Sequence, residues 1–190
     1  AALGNLLAAA GYDVHREYYV NDAGRQMHIL TLSVLVRYLE HRGEPMPFPV
    51  NGYRGDYIHH IARDLEAEHG DRYRLSAADL CQDLPADENA GGDKERYIDA
   101  LIQRARHLLG ESAYQTILSA AVNAITTDIA EDLAAFGVHY ERWFSERALV
   151  DTGAVEQAVE RLLSAGAIYE DNGALWFRSS DYGDDKDRVV

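Results

Sequence analysis

The sequence predicts an α/β protein whose middle is given over to helices. Three observations carry this. Apolar residues recur at helical spacing through four long segments between about residue 24 and residue 136. Short strand-like runs lie near both ends of the chain. One of these, Tyr18-Tyr19-Val20, runs into Asn21-Asp22 and then into a long periodic helix. A strand that ends in a carboxylate at the mouth of a helix is how open α/β sheets build ligand sites.

Taken in order, Ala1 to Ala10 reads as helix, with Leu3, Leu6, Leu7 and Ala10 on one face and Gly11 as the stop. Asp13 to Val20 is the first expected strand. Gly24 to Arg42 is a strong helix with Met27, Thr31, Val34, Leu35, Tyr38 and Leu39 on its inner face, and either Asn21 or Asp22 is suited to cap it. Pro45, Pro47 and Pro49 then enforce an extended linker, and Asn51-Gly52 marks a turn. Asp56 to His69 is a second helix, facing inward through Ile58, Ile61, Ala62 and Leu65. Asp71 to Gly92 is by composition the least ordered stretch. Asp93 to Leu109 presents Ile98, Leu101, Ile102, Ala105 and Leu108. Glu111 to Phe136, the longest helix, presents Tyr114, Ile117, Leu118, Ala121, Val122, Ile125, Ile129, Leu133 and Phe136. Val138 to Phe144 reads as a strand. Asp151 or Thr152 is placed to cap a helix to Ser164 that buries Val155, Val159, Leu162 and Leu163. Ala167 to Phe177 is a hairpin around Asn172-Gly173, the favoured pair for a type I′ turn, whose register sets Tyr169 opposite Trp176 and Ile168 opposite Phe177. Three segments follow: 1–29, 30–136 (mainly helical, inserted) and 137–190 (a return to the sheet).

Composition narrows the function classes. The 190 residues are long enough for a sizeable core, and nearly half are apolar. With 18 basic and 32 acidic residues the net charge is −14, which argues against a general nucleic-acid surface and against DNA as a partner. No apolar run approaches the roughly 20 residues of a membrane span. Cys81 is the single cysteine, which fits a reducing, cytoplasmic setting. No secretory leader is visible and the chain does not open on Met.

Several tempting sites lack the required pattern. Asp181, Asp184, Asp185 and Asp187 do not follow the EF-hand spacing, and Lys186 and Arg188 stand among them, so a solvated loop is expected there. His59 and His60 are neighbours on a helix and point different ways, which argues against zinc. There is no Gly-rich phosphate loop, nucleophile elbow or metalloprotease helix.

Four stretches, in order, share one resemblance. Gly11 to Gln26 resembles the segment after the first signature helix of bacterial-type arginyl-tRNA synthetases. Gly52-Tyr53-Arg54-Gly55-Asp56-Tyr57-Ile58 fits a second pattern of that family. Gly137 to Arg147 is similar to its strand carrying an arginine-contacting glutamate. Ala174 to Val189, with Leu175-Trp176, Arg178-Ser179 and Gly183-Asp184-Asp185-Lys186-Asp187-Arg188-Val189, resembles a further signature. The resemblance implies a piece of a class I Rossmann-like catalytic domain with a large, mainly helical insertion. It implies ATP-dependent activation of arginine and its transfer to tRNA(Arg), with ATP and Mg2+ as cofactors and L-arginine and tRNA(Arg) as partners.

The resemblance further places a contact to the substrate arginine on Glu146. Asp22 would meet the α-amino group, with Asn21 and Gln26 as companions. A fixed carboxylate suits this task, since arginine carries a planar guanidinium and an α-ammonium. Against these roles stand plainer ones: a surface Glu146 paired with Arg147 or Arg142, and an Asp22 that only caps a helix. The ATP-binding His-x-Gly-His and Lys-Met-Ser-Lys-type signatures expected from the resemblance are not in the sequence, so the chain alone is expected to be an inactive fragment of the ligase. The alternative is a non-enzymatic protein-binding module, with the helix 151–164 and its hairpin resembling the end of a winged helix.

Overall fold

The computed structural model describes all residues, Ala1 to Val190, and is a helix-rich α/β structure. The chain divides into two compact units. The first holds residues 1–18 and 22–142; the second holds 19–21 and 143–190. No helix is long and apolar enough to cross a membrane.

The first unit is built on four helices: α2 (Arg25–His41), α3 (Asp56–His69), α5 (Lys94–Leu109) and α6 (Glu111–Ala135), with α1 (Ala2–Ala9) and a short α4 (Ala77–Leu80) beside them. The expected inner faces of α3 and α5 are buried through Ile58, Ile61, Ala62 and Leu65 and through Ile98, Leu101, Ile102 and Ala105. Helix α2 departs from a one-sided reading. It buries Leu30, Leu32, Ser33 and Val36 as well as Thr31, Val34, Leu35, Tyr38 and Leu39, because α3, α5 and α6 all pack on it. The polar residues this engulfs are satisfied within the core. Thr31 Oγ donates to Met27 O and Ser33 Oγ to Ile29 O, each at 2.7 Å, and Ser33 Oγ accepts from Tyr53 N–H at 2.9 Å.

Other expectations are corrected here. Helix α6 is buried only through its first half, from Tyr114 to Val122. Ile125, Ile129 and Leu133 are half-buried, and Phe136 is 86% exposed, because the helix outruns the partners packed on it. Helix α1 buries nothing. The stretch expected to be least ordered is folded: Tyr73 and Leu80 are core residues, Ser76 Oγ caps α4 by accepting from Asp79 N–H, and Asp87 opens a short 3-10 turn over Glu88–Ala90. Tyr38 ties the start of this stretch down, its hydroxyl donating to Gly70 O at 2.5 Å and accepting from Tyr73 N–H at 3.3 Å.

Strands β1 (Glu17–Val20) and β2 (Arg142–Ser145) form a two-stranded sheet, each shorter than the sequence suggested. They start from one edge. The carbonyl of Arg16 accepts from Glu141 N–H at 3.0 Å and Arg142 N–H at 3.3 Å, so the strands run in the same direction from that point.

The second unit continues through α7 (Glu146–Asp151), α8 (Ala154–Ser164) and an antiparallel sheet of β3 (Ile168–Asp171), β4 (Ala174–Phe177) and β5 (Arg188–Val189). The hairpin has the expected register, Ile168 opposite Phe177 and Tyr169 opposite Trp176. Its turn residues Asn172 and Gly173 sit at φ 50° and 76°, the left-handed pair a type I′ turn needs. The expected helix to Ser164 is present but begins later, at Ala154. Asp151 ends α7, and Gly153, not Asp151 or Thr152, stands at the cap of α8. The apolar stripe of α8 is not covered: Val155, Leu162 and Leu163 are exposed and Val159 is half-buried.

Candidate functional site

Asn21 and Glu146 each follow directly on a strand of the β1–β2 sheet, and both belong to the second unit. Because the two strands share a direction, both residues lie at the C-terminal end of that sheet, where open α/β sheets accept ligands. Asn21 is exposed and Glu146 half-buried.

Glu146 is not on the strand, as its resemblance implied, but is the first residue of α7. The apolar-aromatic run Trp143-Phe144 extends β2 only to Ser145, whose Oγ accepts from Ala148 N–H at 3.1 Å and so turns the chain into a helix. A carboxylate in the first turn of a helix sits where unpaired N–H groups favour negative charge. Glu146 takes part in none of the ion pairs, and Arg142 pairs with Glu17 at 3.3 Å.

Residues 137–147 hold a second glutamate, and the structure separates the two. Glu141 is occupied in the first unit, accepting from Arg16 N–H at 2.6 Å and from the Arg16 guanidinium at 3.3 Å. The Arg16 N–H, and secondarily its guanidinium, hold the Glu141 carboxyl below the ordinary range. Glu141 is thus a structural tie to Arg16.

Asp22 and Gln26 belong to the first unit. Asp22 is buried, 6% exposed, and does not serve as the cap of α2. That place is taken by Gly24, at φ 84° and ψ −177°, a conformation essentially reserved for glycine, and no side chain caps the helix. Gln26, exposed on the first turn of α2, accepts from Tyr53 Oη through its Oε1 at 2.9 Å. This joins two of the stretches singled out above, 11–26 and 52–58.

Further polar clusters were not legible in the sequence. His28 lies against Tyr114, its Nδ1 3.3 Å from the Tyr114 hydroxyl. Burial, then the charge of Arg106, lowers the His28 imidazole, and burial raises the Tyr114 phenol. A cavity of 370 Å3 between α2 and α5 is lined by Gly24, Arg25, His28, Asp99 and Arg106, but its cations are spent: Arg25 pairs with Glu95 and Asp99 at 2.7 Å each, and Arg106 pairs with Glu111 at 2.9 Å.

The acidic stretch 181–187 is cross-tied rather than merely solvated. Asp187 accepts from Tyr169 Oη at 2.9 Å and Ser180 Oγ at 2.5 Å, and Arg188 grips Asp184 and Asp185 at 2.7 Å each. Arg188 holds Asp184, and Ser180 and then Tyr169 hold Asp187, below the usual carboxylate range.

No protein-family model matches the chain. It is 59% identical over 190 residues to an arginine–tRNA ligase of Thioalkalivibrio sulfidiphilus, covering all of this chain and 32% of that protein. It is 57% identical over 189 residues to the arginine–tRNA ligase of Halorhodospira halophila and 51% over 190 to that of Legionella pneumophila, again with 32% of each covered. A crystal structure from Campylobacter jejuni, named as an arginyl-tRNA synthetase, superposes with a TM-score of 0.62 at 28% identity over 99% of this chain and 34% of that one. The chain thus spans about a third of the length of the relatives it matches. With identity above one half over its whole length, this chain is similar to about one third of the length of these arginine–tRNA ligases.

Proposed function

We propose that this chain forms part of a cytoplasmic arginine–tRNA ligase, and that its share of the work is to hold the amino acid. The observation that carries this is Glu146: a half-buried carboxylate at the C-terminal end of a paired strand, free of internal ion pairs, next to Asn21 at the end of the neighbouring strand. Arginine is a permanent cation, and a carboxylate already held in a helix's first turn meets it without giving up another salt bridge. Asn21 offers an amide donor and acceptor beside it. Asp22 and Gln26 are proposed as further arginine contacts, Asp22 to the α-ammonium. In this reading β1 and β2 belong to a class I Rossmann-like sheet, and residues 30–136 form the inserted helical segment.

ATP and Mg2+ find no matching set of donors in this chain. The guanidinium groups of Arg25 and Arg106 are committed to carboxylates, and Asp184, Asp185 and Asp187 are committed to Arg188, Tyr169 and Ser180. No step through either group is assigned to these residues. ATP-driven activation and transfer to tRNA(Arg) are proposed for the whole ligase.

The test is a replacement. This chain is exchanged for the homologous third of the Thioalkalivibrio ligase, and charging of tRNA with arginine is measured. Arginine-dependent charging is expected. A folded hybrid that binds tRNA and ATP yet charges none would refute the proposal. The rival reading, a non-enzymatic binding module, draws no support from relatives that all carry the ligase name.

A further inference from the structure

Tyr53, in the turn between α2 and α3, is held at both ends. Its N–H donates to Ser33 Oγ at 2.9 Å, and Ser33 is buried, 1% exposed. Its half-buried ring packs against the core. Its hydroxyl donates to Gln26 Oε1 at 2.9 Å. Gln26 and Ser33 stand at i and i+7 on α2, so they share one face, and Tyr53 bridges them along it. The backbone just before Tyr53 has no latitude, since a Cβ on Gly52 would lie 2.6 Å from the Phe48 ring.

The same turn also secures the residue next to Gln26. Asn51 Nδ2 donates to Glu95 Oε1 at 2.9 Å, and Glu95 pairs with Arg25 at 2.7 Å. Residues 51–53 thus grip the first two residues of α2, Arg25 through Glu95 and Gln26 directly.

The direction of the Tyr53–Gln26 bond has a chemical consequence. A glutamine amide has an acceptor end and a donor end, and an unheld one presents either. Here the Tyr53 hydroxyl claims the acceptor end. Gln26 is exposed, and what it offers a ligand is then its Nε2 end, with two donors and no acceptor. Arginine answers this with one group. Its guanidinium and α-ammonium only donate, and its carboxylate is its only acceptor.

We propose that Tyr53 is a positioning residue: it holds the Gln26 amide with its N–H donors outward, and Gln26 so held binds the carboxylate of the substrate amino acid. This rests on the reading of Gln26 as an arginine contact and goes beyond it, naming the group that Gln26 takes and the residue that orients it. The labour then divides by charge. The carboxylates of Glu146 and Asp22 take cationic groups, and the amide takes the anionic one.

The experiment compares the dissociation constants of arginine and of agmatine on the hybrid ligase described above. Agmatine is arginine without its carboxylate; the amine and the guanidinium remain. Tyr53→Phe keeps the ring and the backbone bond and removes the hydroxyl. It is expected to weaken arginine about fivefold, the size of one net hydrogen bond, and to leave agmatine unchanged. Gln26→Ala is expected to weaken arginine at least as much, again sparing agmatine, and adding Tyr53→Phe to it should do nothing more. Equal weakening of both ligands by Tyr53→Phe would show that the hydroxyl only braces the fold, and would overturn the proposal. So would unchanged arginine binding in either single variant. If Tyr53→Phe does not fold, the contrast between the two ligands in Gln26→Ala decides alone. Glu146→Gln separates this inference from the reading it rests on. Both ligands carry the cationic groups, so that variant should weaken both. If it weakens neither while Tyr53→Phe weakens arginine alone, the role of Glu146 falls and that of Tyr53 stands.

Discussion

The Tyr38 hydroxyl provides a sharp test of how the first unit is held together. Tyr38 is fully buried on α2, and its one oxygen joins two points past the end of α3, donating to Gly70 O and accepting from Tyr73 N–H. Tyr38→Phe leaves the ring packing against Tyr73 intact, with centroids 6.3 Å apart, and deletes only the oxygen. The consequences differ at the two partners. Gly70 is exposed, so water can replace the lost donor to its carbonyl, and the cost there is one net hydrogen bond, about 1 kcal/mol. Tyr73 is 1% exposed, and its N–H is stranded, which costs about 1–3 kcal/mol. The sum, about 2–4 kcal/mol, is a large part of a domain's stability. Urea unfolding followed by helical circular dichroism measures it as a lower midpoint at unchanged slope. A loss below about 0.5 kcal/mol would mean that the Tyr73 N–H is satisfied some other way and that Tyr38 does not tie this segment down.

Three further outcomes follow from single contacts. Ser145→Ala removes the only side-chain cap of α7 and should weaken that helix by about 1 kcal/mol, read as faster hydrogen exchange at the Ala148 amide. Asn172→Ala places a residue with a poorer left-handed preference at φ 50° and should cost the hairpin about 1 kcal/mol, seen as faster exchange of the β3–β4 amides. Asp187 has its folded pKa below the unfolded value near 3.9, so the stability it contributes is complete above that pH and is lost as pH falls through the lower, folded value. Trp176 fluorescence should accordingly change on acidification below about pH 4, and Asp187→Asn should abolish that acid dependence while loosening the loop at neutral pH.

What could be read from the sequence was what local chemistry decides. Asn172-Gly173 admits one favoured turn, and the turn sets the register of the hairpin, so Tyr169 and Trp176 could be paired in advance. The inward faces of α3 and α5 followed from spacing, because each meets the core on one side. What failed depended on partners far along the chain. Nothing in α2 itself says that three helices will surround it and bury Leu32 and Val36. Residues 71–92 look polar, yet Tyr73 and Leu80 are buried by elements that precede and follow them. Of the candidate site, Glu146 was singled out through resemblance, but its place at the start of a helix was not foreseen, since a six-residue helix is too short to show a period. The distinction between Glu141 and Glu146 rests on Arg16, which is 125 residues from Glu141. Gly24 took the capping role from Asp22 because its backbone conformation excludes other residues, and no composition rule ranks a glycine above an aspartate there.

The most direct measurement is the KM for arginine of the replaced ligase carrying Glu146→Gln. A charge-assisted hydrogen bond to a cationic substrate contributes about 1.5–3 kcal/mol, so KM should rise about 10- to 150-fold while the KM for ATP stays where it was. An arginine KM within twofold of the parent, or an equal rise in both constants, would contradict the assignment of Glu146 as the residue that holds the amino acid.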